Sequence, residues 1–96
     1  MSSLLASLHA TVEGYVQGVG FRYFVQEIAV ELDLTGWVRN RYNGSVEVLA
    51  EGERARLETL LAALRRGPRS SHVSSVDFEW LPASGEFTHF SVRMTE

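Results

Sequence analysis

Cysteine and lysine are both absent from this 96-residue sequence. Without cysteine the chain has no thiol nucleophile, no disulfide and no cysteine-ligated zinc. Without lysine it has neither a Schiff-base amine nor the lysine that binds phosphate in a Walker loop. All nine basic residues are therefore arginines, and any cationic chemistry must come from guanidinium groups.

A broad positive surface and a long apolar run are missing as well. The formal net charge is −3, whereas nucleic-acid-binding domains carry clustered basic residues. No uncharged apolar stretch is long enough to span a bilayer, and the start of the chain lacks the basic region of a signal peptide. We therefore expect no nucleic-acid partner, no membrane association and a cytoplasmic location. The length suits a single domain over residues 1–96, monomeric, with residues 1–6 as a loose N-terminal segment.

The apolar periodicity predicts alternating strands and helices. Residues 8–16 alternate as in a half-buried strand, and Phe21–Leu32 carries the apolar stripe of a helix. Thr35–Tyr42 and Ser45–Glu51 read as two strands joined by a type I′ turn at Asn43-Gly44. Further along, the pattern predicts a helix over Glu53–Arg66, a strand with Val76, Phe78 and Trp80 alternating, and a short fifth strand with Phe90, Val92 and Met94.

This order of elements defines the expected fold. Strand, helix, strand, strand, helix and strand, followed by a terminal strand, is the split βαβ arrangement of ferredoxin-like folds. The class is α+β, with an antiparallel sheet and two helices on one of its faces.

The turn from Gly14 to Arg22 lies where a strand passes into a helix. Free N–H groups and the helix dipole make such a site partly positive, and glycines let backbone curl around an anion. Arg22 is electrostatically misplaced at a helix start, and a bound anion, most plausibly phosphate, resolves the conflict. The alternatives are an ordinary tight connection for the loop and a solvated surface side chain for Arg22.

Asn40 continues the strand face of Gly36 and Val38, where an apolar residue is routine. Its amide offers one donor and one acceptor to a small molecule. The alternative is turn chemistry, since Asn40 lies shortly before the Asn43-Gly44 turn. Trp37 lies on the opposite strand face, and the pattern leaves its burial open.

The remaining titratable residues form no recognisable site. His9, His72 and His89 are scattered without a shared motif, so we expect no metal site. Glu47 and Glu51 share one face of the third strand, and we expect that face to be solvated.

Two motifs together resemble the acylphosphatase family. Gly14–Arg22 matches the pattern Gly-x-Val-Gln-Gly-Val-x-Phe-Arg. Gly36–Val46 matches Gly-aromatic-Val-x-Asn followed, three residues later, by Gly-x-Val. The resemblance covers nearly the whole chain and is weakest after Gly67-Pro68.

The resemblance implies an enzyme that hydrolyses the carboxyl–phosphate anhydride of acyl phosphates, with no metal and no cofactor. It also implies site roles: Asn40 would orient the attacking water, and Arg22 would bind the phosphoryl oxygens together with a backbone loop made of Val16, Gln17, Gly18, Val19, Gly20, Phe21 and Arg22. Inorganic phosphate or sulfate would compete with the substrate. The alternative function is a non-catalytic regulatory module that binds phosphate or another anion on the same fold.

Overall fold

The computed structural model describes residues 4–96 and contains five strands and two helices. In chain order they are β1 (Leu5–Tyr15), α1 (Phe21–Glu31), β2 (Thr35–Asn40), β3 (Val46–Glu53), α2 (Arg54–Arg66), β4 (His72–Leu81) and β5 (Phe90–Val92). None of the helices within this part of the chain is long and apolar enough to cross a membrane.

The strands form one mixed sheet in the order β4-β1-β3-β2-β5. The first four strands pair antiparallel, as the ferredoxin-like prediction requires. The prediction of an antiparallel sheet is wrong for β5, which pairs parallel to β2. The reason is the path of the chain: β4 ends at the end of the sheet where β2 begins, so after the 82–89 loop β5 starts at that same end and runs in the direction of β2.

The two helices cover one face of the sheet. Alternation along β1 places Leu8, Ala10 and Val12 on this face, and the register sets them opposite alternate residues of β3. These side chains form one apolar core with buried residues of the helices, namely Phe21, Val25, Ala29, Leu57, Leu60 and Leu64. The prediction of a two-layer sandwich is therefore confirmed.

The strand boundaries differ from prediction at the N-terminal end. Leu5 and Ala6 belong to β1, where they pair with Glu53 and Gly52 of β3. A loose segment extending to residue 6 is therefore wrong, because β3 continues to Glu53 and supplies hydrogen-bonding partners. Residues 1–3 lie outside the described residues.

The β2–β3 hairpin does not turn through type I′ geometry. Arg41 N donates to Ser45 O at 2.8 Å and Gly44 N donates to Arg41 O at 3.1 Å, which leaves a three-residue loop. Only Gly44 has a positive φ, at 97°, whereas a type I′ turn also requires one at Asn43. The extra loop residue brings Asn43 Oδ1 within 3.0 Å of Ser45 N, which donates to it.

Candidate active site

A glycine-containing loop leads from β1 into α1. Gly18 and Gly20 have φ values of 75° and 78°, in the left-handed region that glycine adopts without strain. A Cβ atom on either residue would meet no protein atom within 4 Å. Glycine is therefore needed for the left-handed backbone conformation and not because a side chain would lack room. The space beside the loop is open.

The backbone N–H groups around this space are free. The first hydrogen bond of α1 runs from Phe24 N to Gly20 O at 3.0 Å. Within residues 4–96, no N–H from Gln17 through Tyr23 donates a hydrogen bond. The helix start also has no side-chain cap and no acidic residue in its first turn. An anion is the group that satisfies such donors and the positive end of the helix dipole.

Arg22 is fixed beside these donors. The residue is half-buried, and its Nη1 donates to the backbone carbonyl of Arg93 at 3.1 Å. One helical turn further, Gln26 Nε2 donates to Phe90 O at 3.2 Å. Arg22 and Gln26 thus form the stripe of α1 that docks on β5. This arrangement favours a positioned guanidinium over the solvated side chain that was the alternative.

Asn40 is the last residue of β2. Its backbone pairs with Val46, and its carbonyl accepts a hydrogen bond from Glu96 N at 3.1 Å. In the described part of the chain, its side-chain amide makes no hydrogen bond, whereas the turn interaction proposed as the alternative is made by Asn43. The Asn40 amide is therefore held on a fixed backbone with its hydrogen-bonding atoms free.

Arg22 and Asn40 meet at one cavity of about 100 Å³. Six of the predicted site residues line it: Val16, Gly18, Gly20, Phe21, Arg22 and Asn40. Tyr23 also lines it, although the sequence reasoning did not select this residue. The signal was available, because Tyr23 follows Arg22 in the first turn of α1.

Two of the predicted loop residues, Gln17 and Val19, do not line the cavity. Val19 packs against the core, half-buried. Gln17 turns its side chain to the hairpin, where Nε2 donates to Arg41 O at 2.6 Å and to Ser45 O at 2.9 Å. The loop is thereby attached to the chain segment that directly follows Asn40.

A network of charges lies on the sheet face opposite the helices. Glu47 Oε2 accepts from His9 Nε2 at 2.7 Å, and Glu47 Oε1 accepts from Arg39 Nε at 2.8 Å and from Arg41 Nη1 at 3.1 Å. Burial alone would raise the pKa of Glu47, but the hydrogen bonds from His9 and Arg39 and the charge of Arg39 outweigh it, so the pKa lies below its ordinary value. The expectation of a solvated Glu47 is wrong, because the flanking cations cover it.

Trp37 lies on this same face and is only 8% exposed. The guanidinium carbons of Arg39 and Arg93 stand 4.6 Å and 4.8 Å from its ring centroid. The two arginines enclose the indole, which answers the question that the sequence left open.

A larger cavity of about 210 Å³ lies at the other end of the sheet, where β2 begins. It contains Glu51, which is 6% exposed and whose oxygens accept from Ser84 N at 2.8 Å and Gly85 N at 3.0 Å. Burial alone would raise the pKa of Glu51, but these bonds keep it below its ordinary value. The expectation that Glu51 is solvated is therefore wrong as well, since the 82–89 loop covers it.

The satisfied Glu51 carboxylate has a structural role, so the smaller cavity is the better candidate site. No group of three or more histidine and carboxylate residues able to hold a metal ion occurs within residues 4–96.

Comparison with known proteins places this architecture in a family. The acylphosphatase family model matches residues 8–92. An acylphosphatase of Moorella thermoacetica is 49% identical over 89 residues, which cover 93% of this chain and 95% of that protein. The crystal structure of acylphosphatase from Bacillus subtilis superposes with a TM-score of 0.88 at 39% identity, covering 94% of this chain and 99% of that one.

A larger protein contains the same fold as a part. The crystal structure of full-length HypF, described as phosphate- and nucleotide-bound, matches with a TM-score of 0.89 at 26% identity. The match covers all of this chain and 13% of that one.

The fold is a small ferredoxin-like α+β sandwich, with a cavity of about 100 Å³ at the start of α1. The chain belongs to the acylphosphatase family and is a hydrolase of that family.

Proposed function

We propose that this enzyme hydrolyses acyl phosphates at the cavity between the start of α1 and the end of β2. The observation that carries the proposal is a cavity lined by Arg22, by Asn40 and by loop and helix-start residues whose backbone N–H groups are free, namely Gly18, Gly20, Phe21 and Tyr23. Free N–H groups at a helix start are the donors that bind the oxygens of a phosphoryl group. The match of the chain to acylphosphatases over nearly its whole length supports the same assignment.

The phosphoryl group binds to the N–H groups of the loop and to the guanidinium of Arg22. A guanidinium contacts two phosphoryl oxygens at once, and its contact with the Arg93 carbonyl fixes its direction. The donors are in place before the substrate arrives. They therefore stabilise charge on the equatorial oxygens in the transition state without reorganisation.

Asn40 orients the water that attacks phosphorus. The water oxygen forms the new bond to phosphorus while the bond from phosphorus to the acyl oxygen breaks, and the carboxylate leaves with the electron pair. The proton of the water passes to an oxygen of the phosphoryl group. A carboxylate is a good leaving group that needs little acid catalysis, so the site functions without a separate general acid or base. No metal or cofactor takes part in this proposal.

A hydrolysis assay tests the proposal. Purified enzyme should release phosphate from acetyl phosphate at a rate unchanged by an excess of EDTA, and inorganic phosphate or sulfate should inhibit competitively. Phosphate binding without turnover would contradict the proposal and favour a non-catalytic binding module. Noncompetitive inhibition would show that the anion binds outside the substrate site.

A further inference from the structure

The cavity accommodates only part of an acyl phosphate. It is small, about 100 Å³, and in the proposed binding mode the phosphoryl group occupies the part of it beside the loop and Arg22. The acyl group must therefore extend past the rim, and the residues at the rim decide which acyl groups bind well.

Tyr23 is the aromatic residue at this rim. It lines the cavity and is 64% exposed, whereas Phe21, the other aromatic lining residue, is buried in the core. Within residues 4–96, Tyr23 takes part in no hydrogen bond, no aromatic pair and no cation–π contact. The face of its ring is therefore open beside the cavity and available to an apolar part of a ligand.

The helix geometry explains why Tyr23 points to solvent at the cavity. The buried stripe of α1 contains Phe21 and Val25, and the stripe with Arg22 docks on β5. Tyr23 lies on the third stripe with Glu27, which is also exposed. The side chains of successive helical residues point about 100° apart around the helix axis. The side chains of Arg22 and Tyr23 therefore occupy different parts of the space in front of the start of α1.

Two of the arginines at this end of the molecule, Arg41 and Arg93, are engaged elsewhere. Arg41 donates to Glu47 at 3.1 Å, and Arg93 stacks on Trp37, both on the sheet face opposite the helices. Neither Arg41 nor Arg93 is therefore available beside Tyr23 to pair with a second carboxylate on the acyl group.

We infer that Tyr23 contacts the acyl group and makes this enzyme favour acyl phosphates whose acyl group is aromatic or otherwise apolar over those with a second carboxylate. The inference rests on the proposed function and specifies its substrate class. The contact is remote from the breaking bond and equally strong in the ground and transition states. Tyr23 therefore lowers KM and leaves kcat unchanged.

The experiment compares three substrates: benzoyl phosphate, acetyl phosphate and succinyl phosphate. Replacing Tyr23 by Ala should raise KM for benzoyl phosphate about 3- to 10-fold, the range expected for the loss of one aromatic contact. KM for the other two substrates, kcat for all three and the inhibition constant of phosphate should change by less than about 2-fold. Tyr23→Phe keeps the ring and should retain the wild-type KM.

Tyr42 provides the matched control. It is a tyrosine at the same end of the molecule, 85% exposed, but it does not line the cavity. Tyr42→Ala should leave all three substrates unaffected. An equal change in KM for all three substrates in Tyr23→Ala, or no change in any, would overturn the inference while the proposed function stands. Lack of turnover of every substrate by the wild type would overturn both.

Discussion

The side-chain amide of Gln17 attaches the loop between β1 and α1 to the hairpin that carries Asn40. One nitrogen donates both of its hydrogens, to Arg41 O at 2.6 Å and to Ser45 O at 2.9 Å. These carbonyls flank the three-residue loop that begins two positions after Asn40. The hydrogen bonds of Gln17 therefore fix the distance between the loop before α1 and the end of β2, where Asn40 lies.

Replacing Gln17 by Leu should weaken both stability and catalysis. The change removes two hydrogen bonds to carbonyls that keep one backbone donor each, so we expect a loss of about 1–3 kcal/mol in the free energy of unfolding, measured with urea. It also lets Asn40 move relative to the loop. We expect kcat/KM for acetyl phosphate to fall about 10-fold or more in fully folded protein, because displaced catalytic groups are less effective.

Gln26→Leu is the control for Gln17. Gln26 Nε2 also donates to a backbone carbonyl, that of Phe90 at 3.2 Å, but Gln26 lies outside the cavity lining. It should lower stability without lowering kcat/KM. Equal losses of activity in the two variants would show that Gln17 acts through stability alone.

Replacing Arg22 by Ala should remove most of the activity. The variant loses a charged partner for the phosphoryl oxygens, and we expect kcat/KM for acetyl phosphate to fall about 10²-fold or more. Arg22→Lys keeps the charge without the two-point contact and should be intermediate. Arg93→Ala is the control, because Arg22 uses only the carbonyl of Arg93. A fully active Arg22→Ala variant is incompatible with the proposed site.

Replacing Asn40 by Ala should separate turnover from binding. If the amide holds the attacking water, kcat should fall by about 10²–10³, as for other preorganised donors, with an unchanged inhibition constant for phosphate. Asn43→Ala, which loses only the hydrogen bonds within the hairpin loop, should keep its kcat. Weaker phosphate inhibition with normal kcat in the Asn40 variant would instead make the amide a binding group.

The parts of the site that the sequence predicts are those set by local spacing. The left-handed glycines, the arginine one residue into the helix and the face of Asn40 follow from positions a few residues apart. The amide contacts of Gln17 do not, because their acceptors lie 24 and 28 residues further along the chain. Which loop residues turn toward the cavity is therefore a tertiary property.

The same distinction applies to the fold. Periodicity predicts that Glu47 and Glu51 share one strand face, but it does not show what covers them. His9 and arginines cover Glu47, and the 82–89 loop covers Glu51. The direction of β5 was missed for a related reason. A three-residue strand has little pattern of its own, and the path of the preceding loop determines which way it runs.

Glu51 gives a prediction on stability that is independent of catalysis. Its pKa lies below the ordinary value in the folded chain, so the ionised form contributes to stability above the unfolded pKa of about 4.3 and this contribution is lost as pH falls through the folded pKa. At pH 7, Glu51→Gln should lose about 1–2 kcal/mol of unfolding free energy, since only one of Ser84 N and Gly85 N then keeps an acceptor, a neutral amide oxygen. The difference from wild type should begin to shrink below about pH 4.3, where the unfolded carboxylate becomes protonated, and should be lost once the pH is below the lower folded pKa. The exposed Glu31→Gln variant should show neither effect.

The Glu51→Gln variant should keep the wild-type kcat at pH 7, because the 82–89 loop that Glu51 holds lies at the opposite end of β2 from Asn40. A large fall in kcat would show that a change in this loop alters the site.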